Sequence, residues 1–355
     1  RRARRHYRIV RAQHPEHLGA RVGLARTALD LRRYPAAAAR VAALQRRFPE
    51  ERAVRDLAED WRVHGLRELI VTSAYAERSG AQIGSRELAL DGRLYSRPLA
   101  HHYRAFLHGR LARADFEAER AYFRRTGAGV ELRRRDLRAE LELVRDSWEG
   151  TEETGLTGLA EWRLDDRWTL SAAAETESRH VPLQARLAGV AGVSIDATAG
   201  YRASEARAAR LRLRAIYMDD GNERAAATLT GRARVITRPA YRAELRGTLY
   251  ASRNSARGVP YFNPERDLAV ELTWRNAWPV SRRHERAFTH ALDLTAGRYW
   301  QKGFGAQATG AVRYEHRWRL GRRLALSYGV TRARQVFDGE REHATSMDLT
   351  LRWRF

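Results

Sequence analysis

The last residues of the chain alternate strictly. Met347, Leu349, Leu351, Trp353 and Phe355 share one face, and Ser346, Asp348, Thr350, Arg352 and Arg354 share the other. A period of two is the period of a β-strand. Five large apolar groups on one side, ending on an aromatic residue, suit a strand with lipid on one face and a wet lumen on the other. The same period begins near Glu68 and predicts sixteen strands: 68–78, 87–97, 102–115, 120–134, 136–148, 152–164, 167–179, 190–202, 206–218, 222–236, 240–252, 267–278, 284–299, 304–318, 322–336 and 341–355. Segments of about ten to fifteen residues are longer than most soluble strands and match a tilted membrane crossing. Residues 65–355 are therefore expected to form a 16-stranded antiparallel transmembrane β-barrel, in a mainly β protein.

Residues 1–64 follow another rule. Leu18, Val22, Ala25 and Leu29 recur at helical spacing, and a second helix is expected after Tyr34-Pro35, with Ala37 to Ala39, Val41 and Leu44 on its face. His14-Pro15 and Phe48-Pro49 lie 34 residues apart. That period and the closing prolines resemble a tetratricopeptide repeat. Residues 1–64 are accordingly expected to be the C-terminal part of a repeat array and a linker, with Glu50 to Trp61 as the helix leading out of it. The opening run Arg1, Arg2, Ala3, Arg4, Arg5 has no apolar stretch beside it, so the sequence reads as an internal fragment or a trimmed mature chain.

The connections sort by length. Arg135-Asp136, Asp165-Asp166, Arg238-Pro239 and Gly321 are short turns, whereas 79–86, 180–189 and 255–266 are long loops; Lys302-Gly303 is a short exception among the latter. Short turns at one end and long loops at the other are the outer-membrane barrel pattern, with the short turns periplasmic. An even strand number then puts both termini in the periplasm. Trp162, Trp168, Trp274, Trp278, Trp318 and Trp353 fall near the short-turn ends, and Trp148 and Trp300 near the other rim, as expected of interfacial girdles.

Composition changes this picture little. The mean hydropathy is −0.62 and no run of 18 apolar residues occurs, which excludes a transmembrane helix but not a barrel. There is no Cys and hence no disulfide framework. The net charge of +23 raises nucleic-acid binding, but the Arg residues are scattered through every segment and no recognition motif accompanies them, so no nucleic-acid partner is expected.

If the apolar parity faces lipid, the opposite parity lines the lumen. The acidic candidates for contact with a translocated molecule are then Asp91, Glu140, Glu142, Glu161, Glu175, Asp196, Glu244, Glu271, Asp293 and Asp348, with Glu177 beside Glu175. Arg93, Arg138, Arg163, Arg212, Arg214, Arg242, Arg246, Arg275 and Arg352 share that face. Most of these charges are expected to pair with one another along the wall. His14 with His17, His101-His102, and His284 with His290 lack carboxylates at metal spacing, so no metal is expected. Asp219-Asp220-Gly221-Asn222 reads as a hairpin turn rather than a calcium loop. Glu140 and Glu142 have the spacing of any polar strand face, and no Ser and His arrangement stands out. Neither catalytic residues nor cofactors are expected.

Five stretches occur in order: Asp60-Trp61 with His64 and Arg67-Glu68-Leu69 at the entry to the barrel; Val181-Pro182-Leu183; Tyr261-Phe262-Asn263-Pro264; Trp300-Gln301-Lys302; and Asp338-Gly339-Glu340-Arg341-Glu342-His343. Together they resemble the PgaA/HmsH family of outer-membrane exporters of poly-β-1,6-N-acetyl-D-glucosamine. The loop residues singled out by the resemblance are Pro182, Tyr261, Asn263, Pro264, Trp300, Asp338 and Arg341. The resemblance implies a porin in the bacterial outer membrane that passes the partly deacetylated polymer to the cell surface for biofilm. It also implies a periplasmic repeat region that docks a polysaccharide deacetylase; separately, Phe355 resembles the C-terminal signal of bacterial outer-membrane barrels, which the barrel insertion machinery reads. The heavy Arg content departs from the electronegative pore that a cationic polymer suggests. The alternatives are an exporter of a cellulose- or alginate-type polymer, a general outer-membrane porin, or a soluble Arg-rich adaptor.

Overall fold

The computed structural model describes residues 1–355 apart from 81–82 and 118; the first two fall within the expected 79–86 loop. Four helices come first: α1 (Arg2–Gln13), α2 (Leu18–Asp30), α3 (Tyr34–Arg47) and α4 (Arg52–His64). The strands are β1 (Glu68–Arg78), β2 (Arg86–Tyr95), β3 (Tyr103–Asp115), β4 (Arg120–Arg134), β5 (Leu137–Trp148), β6 (Thr151–Arg163), β7 (Trp168–Glu175) and β8 (Gly192–Arg202). They continue as β9 (Arg207–Met218), β10 (Glu223–Arg238), β11 (Tyr241–Asn254), β12 (Arg266–Arg283), β13 (Arg286–Gln301), β14 (Gly305–Leu320), β15 (Leu324–Phe337) and β16 (Glu340–Arg354). A short helix, α5 (Leu183–Leu187), lies between β7 and β8.

Each strand pairs with its sequence neighbours, and β1 pairs with β16, so the sheet closes into a 16-stranded barrel with no free edge. At the closure Leu69, Val71, Ser73 and Tyr75 stand opposite Trp353, Leu351, Leu349 and Met347. Beyond the ladder, the Arg67 amide donates to the Phe355 carbonyl at 2.9 Å, and the Phe355 amide donates back at 3.1 Å. These two backbone bonds extend the seam past the last strand residue. The outward parity carries Leu107, Leu141, Leu143, Leu272 and Met347, each at least half exposed, which is the lipid-facing band of a membrane barrel.

The two-residue turns Glu149-Gly150 (φ 43°, 80°) and Asp338-Gly339 (φ 48°, 80°) have the consecutive left-handed conformations that suit the twist of a hairpin. Several strand ends differ from the sequence expectation by a residue or more, and three of them have a local cause. β12 runs on past Trp278 through Pro279, because a register shift between Pro279 and Ser281 absorbs the residue that cannot donate a ladder bond. β13 begins two residues late, after the turn at His284-Glu285. β7 stops at Glu175, because residues 176–191 leave the wall, so Glu177 lies in a loop and not on a strand. Trp148 is a further correction. It ends β5, but at 2% exposure it lies inside rather than in a girdle, since it shares the parity of Glu140, Glu142 and Asp146.

Helices α2, α3 and α4 share a core of Val22, Ala25, Val41, Leu44, Val54 and Leu57. Gly23 lets α1 approach α2, since a Cβ there would meet the Tyr7 ring at 2.5 Å. The helical segment rests on opposite sides of the short-turn mouth. On one side the Arg135 amide donates to the Arg32 carbonyl at 3.2 Å, and Arg32 pairs with Glu161 at 3.5 Å. On the other, Arg322 pairs with Asp56 at 3.0 Å and with Asp60 at 3.3 Å. The helices therefore lie across the opening.

Candidate conduit through the barrel

The side chains of inward parity build two unlike walls. Along β2–β7 they are packed and mutually neutralised. Arg125 is fully buried and donates to Asp146 at 2.8 Å, to Glu175 at 3.3 Å and to the Glu177 carbonyl at 2.6 Å. His108 stands between Asp91 at 3.2 Å and Glu142 at 2.5 Å. Arg93 reaches Glu140 at 3.0 Å and Glu142 at 3.4 Å, while Arg138 joins Glu131 at 2.9 Å and also binds Glu140. Gly127 makes room for this layer, because a Cβ there would lie 2.3 Å from the Glu142 carboxylate.

The segment 176–191 folds over this wall from the long-loop end. Pro182 opens α5, and Ala185 and Arg186 are buried. The Arg186 guanidinium lies 3.9 Å from the centroid of the Trp148 ring and 5.2 Å from that of Phe123, and it donates to the Ser178 carbonyl at 2.9 Å. Cation–π attraction to the two rings offsets part of the cost of taking this guanidinium out of water. On its other side Val181, Ala185 and Val190 pack with Ile216 and Met218 of β9 and with Tyr261. The segment thus crosses the lumen and narrows it. His180 lies 3.9 Å from Asp196, yet burial and the neighbouring Arg214 lower its pKa to about 4, so at neutral pH this is not an ion pair.

Most residues of the loop motifs tie these loops together. Tyr261 donates to Asp220 at 2.7 Å; burial and that bond raise its pKa to about 12, so it stays a neutral donor. Asn222 donates to the Tyr261 hydroxyl at 3.1 Å and to Asn263 at 2.9 Å, and Asn254 donates to the Pro264 carbonyl at 2.6 Å. The Phe262 amide donates to Gln184 of α5 at 3.1 Å. Gln301 and Asp338 bond each other, and Arg341 donates to Gln307 at 3.0 Å. Trp300 instead faces outward at 39% exposure. The residues 219–222, read as a plain turn, belong to this clasp.

Along β9–β16 the wall is more open and richer in Arg. Arg234, Glu244, Arg275, Asp293 and Arg313 stand directly opposite one another across five strands, a belt of alternating sign. Arg275 pairs with Asp293 at 2.7 Å and also with Glu315, while Glu244 accepts from Arg246 at 3.1 Å and pairs with Arg232 at 3.5 Å. Arg313 holds Asp348, and Arg214 holds Asp196 at 2.9 Å. Toward the short-turn mouth this wall bounds a cavity of about 750 Å³.

Of the carboxylates expected in the lumen, Asp91, Glu140, Glu142 and Glu175 are thus gathered in the packed layer. Asp196, Glu244, Asp293 and Asp348 lie on the open wall, and Glu161 bonds the helical segment. Glu271 has no hydrogen bond or ion pair among the described residues. Sequence reasoning missed Arg125, His108, Asp146 and Arg186, and it set Trp148 at the rim instead of inside. Strand parity could have found all but Arg186, which sits in a loop. No group of three or more His, Asp and Glu able to hold a metal occurs among the described residues.

At the short-turn mouth, the Tyr34 ring stacks on His64 at 4.1 Å, and Trp61 lies 5.3 Å from His64 and 5.6 Å from His101. Burial, reinforced by Arg104, lowers the His64 pKa to about 4. Glu68 is buried between Arg104 at 3.1 Å and Arg354 at 3.1 Å, joining helix exit, barrel wall and final strand.

The chain is similar to the poly-β-1,6-N-acetyl-D-glucosamine export proteins of Escherichia coli K12 and Escherichia coli O157:H7. It is 25% identical to each over 342 residues, covering 96% of this chain and 42% of each relative. It therefore spans less than half the length of these relatives. Among solved structures, a bacterial polysaccharide outer membrane secretin superposes with a TM-score of 0.77 at 24% identity, covering 82% of this chain and 99% of that one. CdiB from Acinetobacter baumannii superposes at 0.50 with 8% identity, covering 81% of this chain and 60% of the other, a likeness of barrel fold alone. The profile of the PgaA membrane β-barrel domain matches residues 63–355, the whole barrel with its entry, and the chain belongs to that family.

Proposed function

We propose that this barrel is an outer-membrane conduit for poly-β-1,6-N-acetyl-D-glucosamine, partly deacetylated, on its way to the cell surface. The observation that carries the reading is family membership over the whole barrel, joined to a lumen lined with hydrogen-bonding groups from end to end. Polar side chains spaced along the lumen offer many weak contacts to sugar hydroxyls and acetamides, and weak, repeated contacts favour passage over capture. Among the lumen carboxylates, Glu271 is free to meet sugar, whereas Glu140, Glu142 and Glu175 serve the wall. The protein acts without catalysis. Residues 1–64 are read as the end of a tetratricopeptide array on the periplasmic side, where a deacetylase would dock, and the outward Leu band and terminal Phe355 suit handling by the barrel insertion machinery.

The test is single-channel conductance of the refolded protein in a planar bilayer, with and without β-1,6-linked glucosamine oligomers of graded acetylation. Block by these oligomers, weaker with β-1,4-linked ones, is the expected outcome. A channel indifferent to every saccharide would refute the conduit reading.

A further inference from the structure

A strand face that meets lipid is expected to carry apolar side chains, and the outward face of β2–β5 obeys that rule with exposed Leu90, Leu94, Leu107, Val130 and Leu141. The outward face of β12–β15 departs from it near the short turns. His290 of β13, Tyr314 and His316 of β14 and Tyr328 of β15 share the outward parity of the exposed Leu294, Val312 and Val330. These polar rings bond one another. His290 Nδ1 lies 2.9 Å from the Tyr314 hydroxyl, and His316 bridges Tyr328 at 2.9 Å and Tyr314 at 3.2 Å. His290 Nε2 has no partner among the described residues. Phe288 stacks on Trp318 at 4.0 Å and Trp278 on His290 at 5.1 Å, closing the network with aromatic surface.

At the end of the same hairpin, Arg283 of β12 and Arg286 of β13 stand directly opposite each other. Arg286 shares the outward parity of Phe288 and His290, so the pair flanks the aromatic patch. Like charges in that position repel. Both arginines are exposed, and neither has a hydrogen-bonded or ionic partner for its guanidinium among the described residues. Glu285, in the turn between them, is held by Arg322 at 2.8 Å. Arg134 and Arg207, of outward parity at the same end of the barrel, stand instead opposite Leu137 and Ala233.

We infer that this patch binds an anionic phospholipid of the periplasmic leaflet, with the lipid phosphate between Arg283 and Arg286. Guanidinium forks match phosphate oxygens, and an anion between the two replaces their repulsion with attraction. A headgroup of net negative charge suits the site better than a zwitterion, because Glu285 is already paired and an ammonium finds no carboxylate in the turn. His290 follows Arg286 by four residues, about 13 Å along a tilted strand, and long arginine side chains span part of that step. One lipid therefore reaches both groups: its phosphate meets the arginines, and its ester carbonyls meet His290 Nε2 and the tyrosine hydroxyls. The stacked rings and Leu294 line its acyl chains, as interfacial aromatics do. The site needs only the membrane barrel and does not depend on what the lumen passes.

The test uses the refolded full chain in neutral detergent micelles, with lipid retention read by native mass spectrometry. Phosphatidylglycerol is expected to be retained at severalfold lower concentration than phosphatidylcholine with the same acyl chains; equal retention overturns the site. Glycerol phosphate is expected not to be retained, and retention matching that of the lipid overturns a membrane lipid as the ligand. The double variant Arg283→Gln and Arg286→Gln is expected to reduce phosphatidylglycerol to the phosphatidylcholine level. Arg134→Gln with Arg207→Gln removes the same charge and is expected to leave the preference unchanged. An equal loss in the two variants reduces the effect to net charge and overturns the site, as does an undiminished preference in the first. Should the first variant fail to fold, fluorescence decides. Phosphatidylglycerol brominated on its acyl chains is expected to quench wild-type tryptophan emission more than brominated phosphatidylcholine, and Trp318→Phe is expected to remove most of that surplus; a surplus that survives intact overturns the site. Block of the channel by saccharides is a separate measurement, so the conduit reading stands or falls independently.

Discussion

The two walls of the lumen use the same residue types to opposite ends. On β2–β7 every buried charge has a partner, the layer is roofed by α5, and Arg is a structural element. On β9–β16 the paired belt leaves Arg234, Arg242 and Arg319 without a partner among the described residues, and the space stays open. The difference shows that an inward-facing charge in a barrel has no meaning by itself. Its role depends on whether its neighbours across the strands, and any loop folded above it, complete its bonds.

Breaking the buried charge cluster should have the largest effect. Arg125→Ala leaves Asp146 buried without a guanidinium and Glu175 with Arg179 alone, a loss of about 3–5 kcal/mol by the precedent of broken buried ion pairs. The temperature at which the folded band is lost on a gel should drop clearly. Arg242→Ala on the open wall should change stability by no more than about 0.5 kcal/mol, like a surface substitution. Equal losses in the two variants would erase the distinction between the walls.

Next in size is the roof. Arg186→Ala removes a buried cation–π contact over Trp148, worth about 2 kcal/mol when desolvated. The 176–191 segment should loosen and single-channel conductance should rise, with more flickering, while the barrel itself stays folded. Unchanged conductance would mean that the clasp of Tyr261, Asn222 and Asn263 holds the roof alone.

The smallest expected effect lies at the mouth, where the helical segment has one foot beside each wall. Beside the packed wall, His64 is neutral when docked, with its pKa lowered from 6.5 to about 4 by burial. Protons therefore favour the undocked state between those values. Docking stability is full above pH 6.5, falls as the pH drops toward 4, and levels off below it. Beside the open wall, Arg322 with Asp56 and Asp60 is partly exposed and should weaken with salt rather than with mild acid. Trp61 fluorescence, followed against pH and against salt, separates the two feet; a signal flat from pH 7 to 4 would remove His64 from the docking interface.

Much of this protein was determined by its sequence alone, because a closed membrane sheet has a simple local rule. Lipid outside and water inside impose alternation on every strand. The strand number, the turn positions, the inward parity of Glu140 or Asp293 and the outward parity of Leu141 or Met347 could all be read without coordinates. Even β12, expected to end at Trp278, runs on only a few residues, since a local bulge absorbs Pro279. Tertiary structure decided what parity cannot express. Cross-strand register placed Arg275 against Asp293, and a long loop folding inward turned Trp148 from a rim residue into the seat of Arg186. The distribution of acids around the ring left one wall neutral and the other basic. These are contacts between residues far apart in the chain, set by closure and packing, and no local period records them.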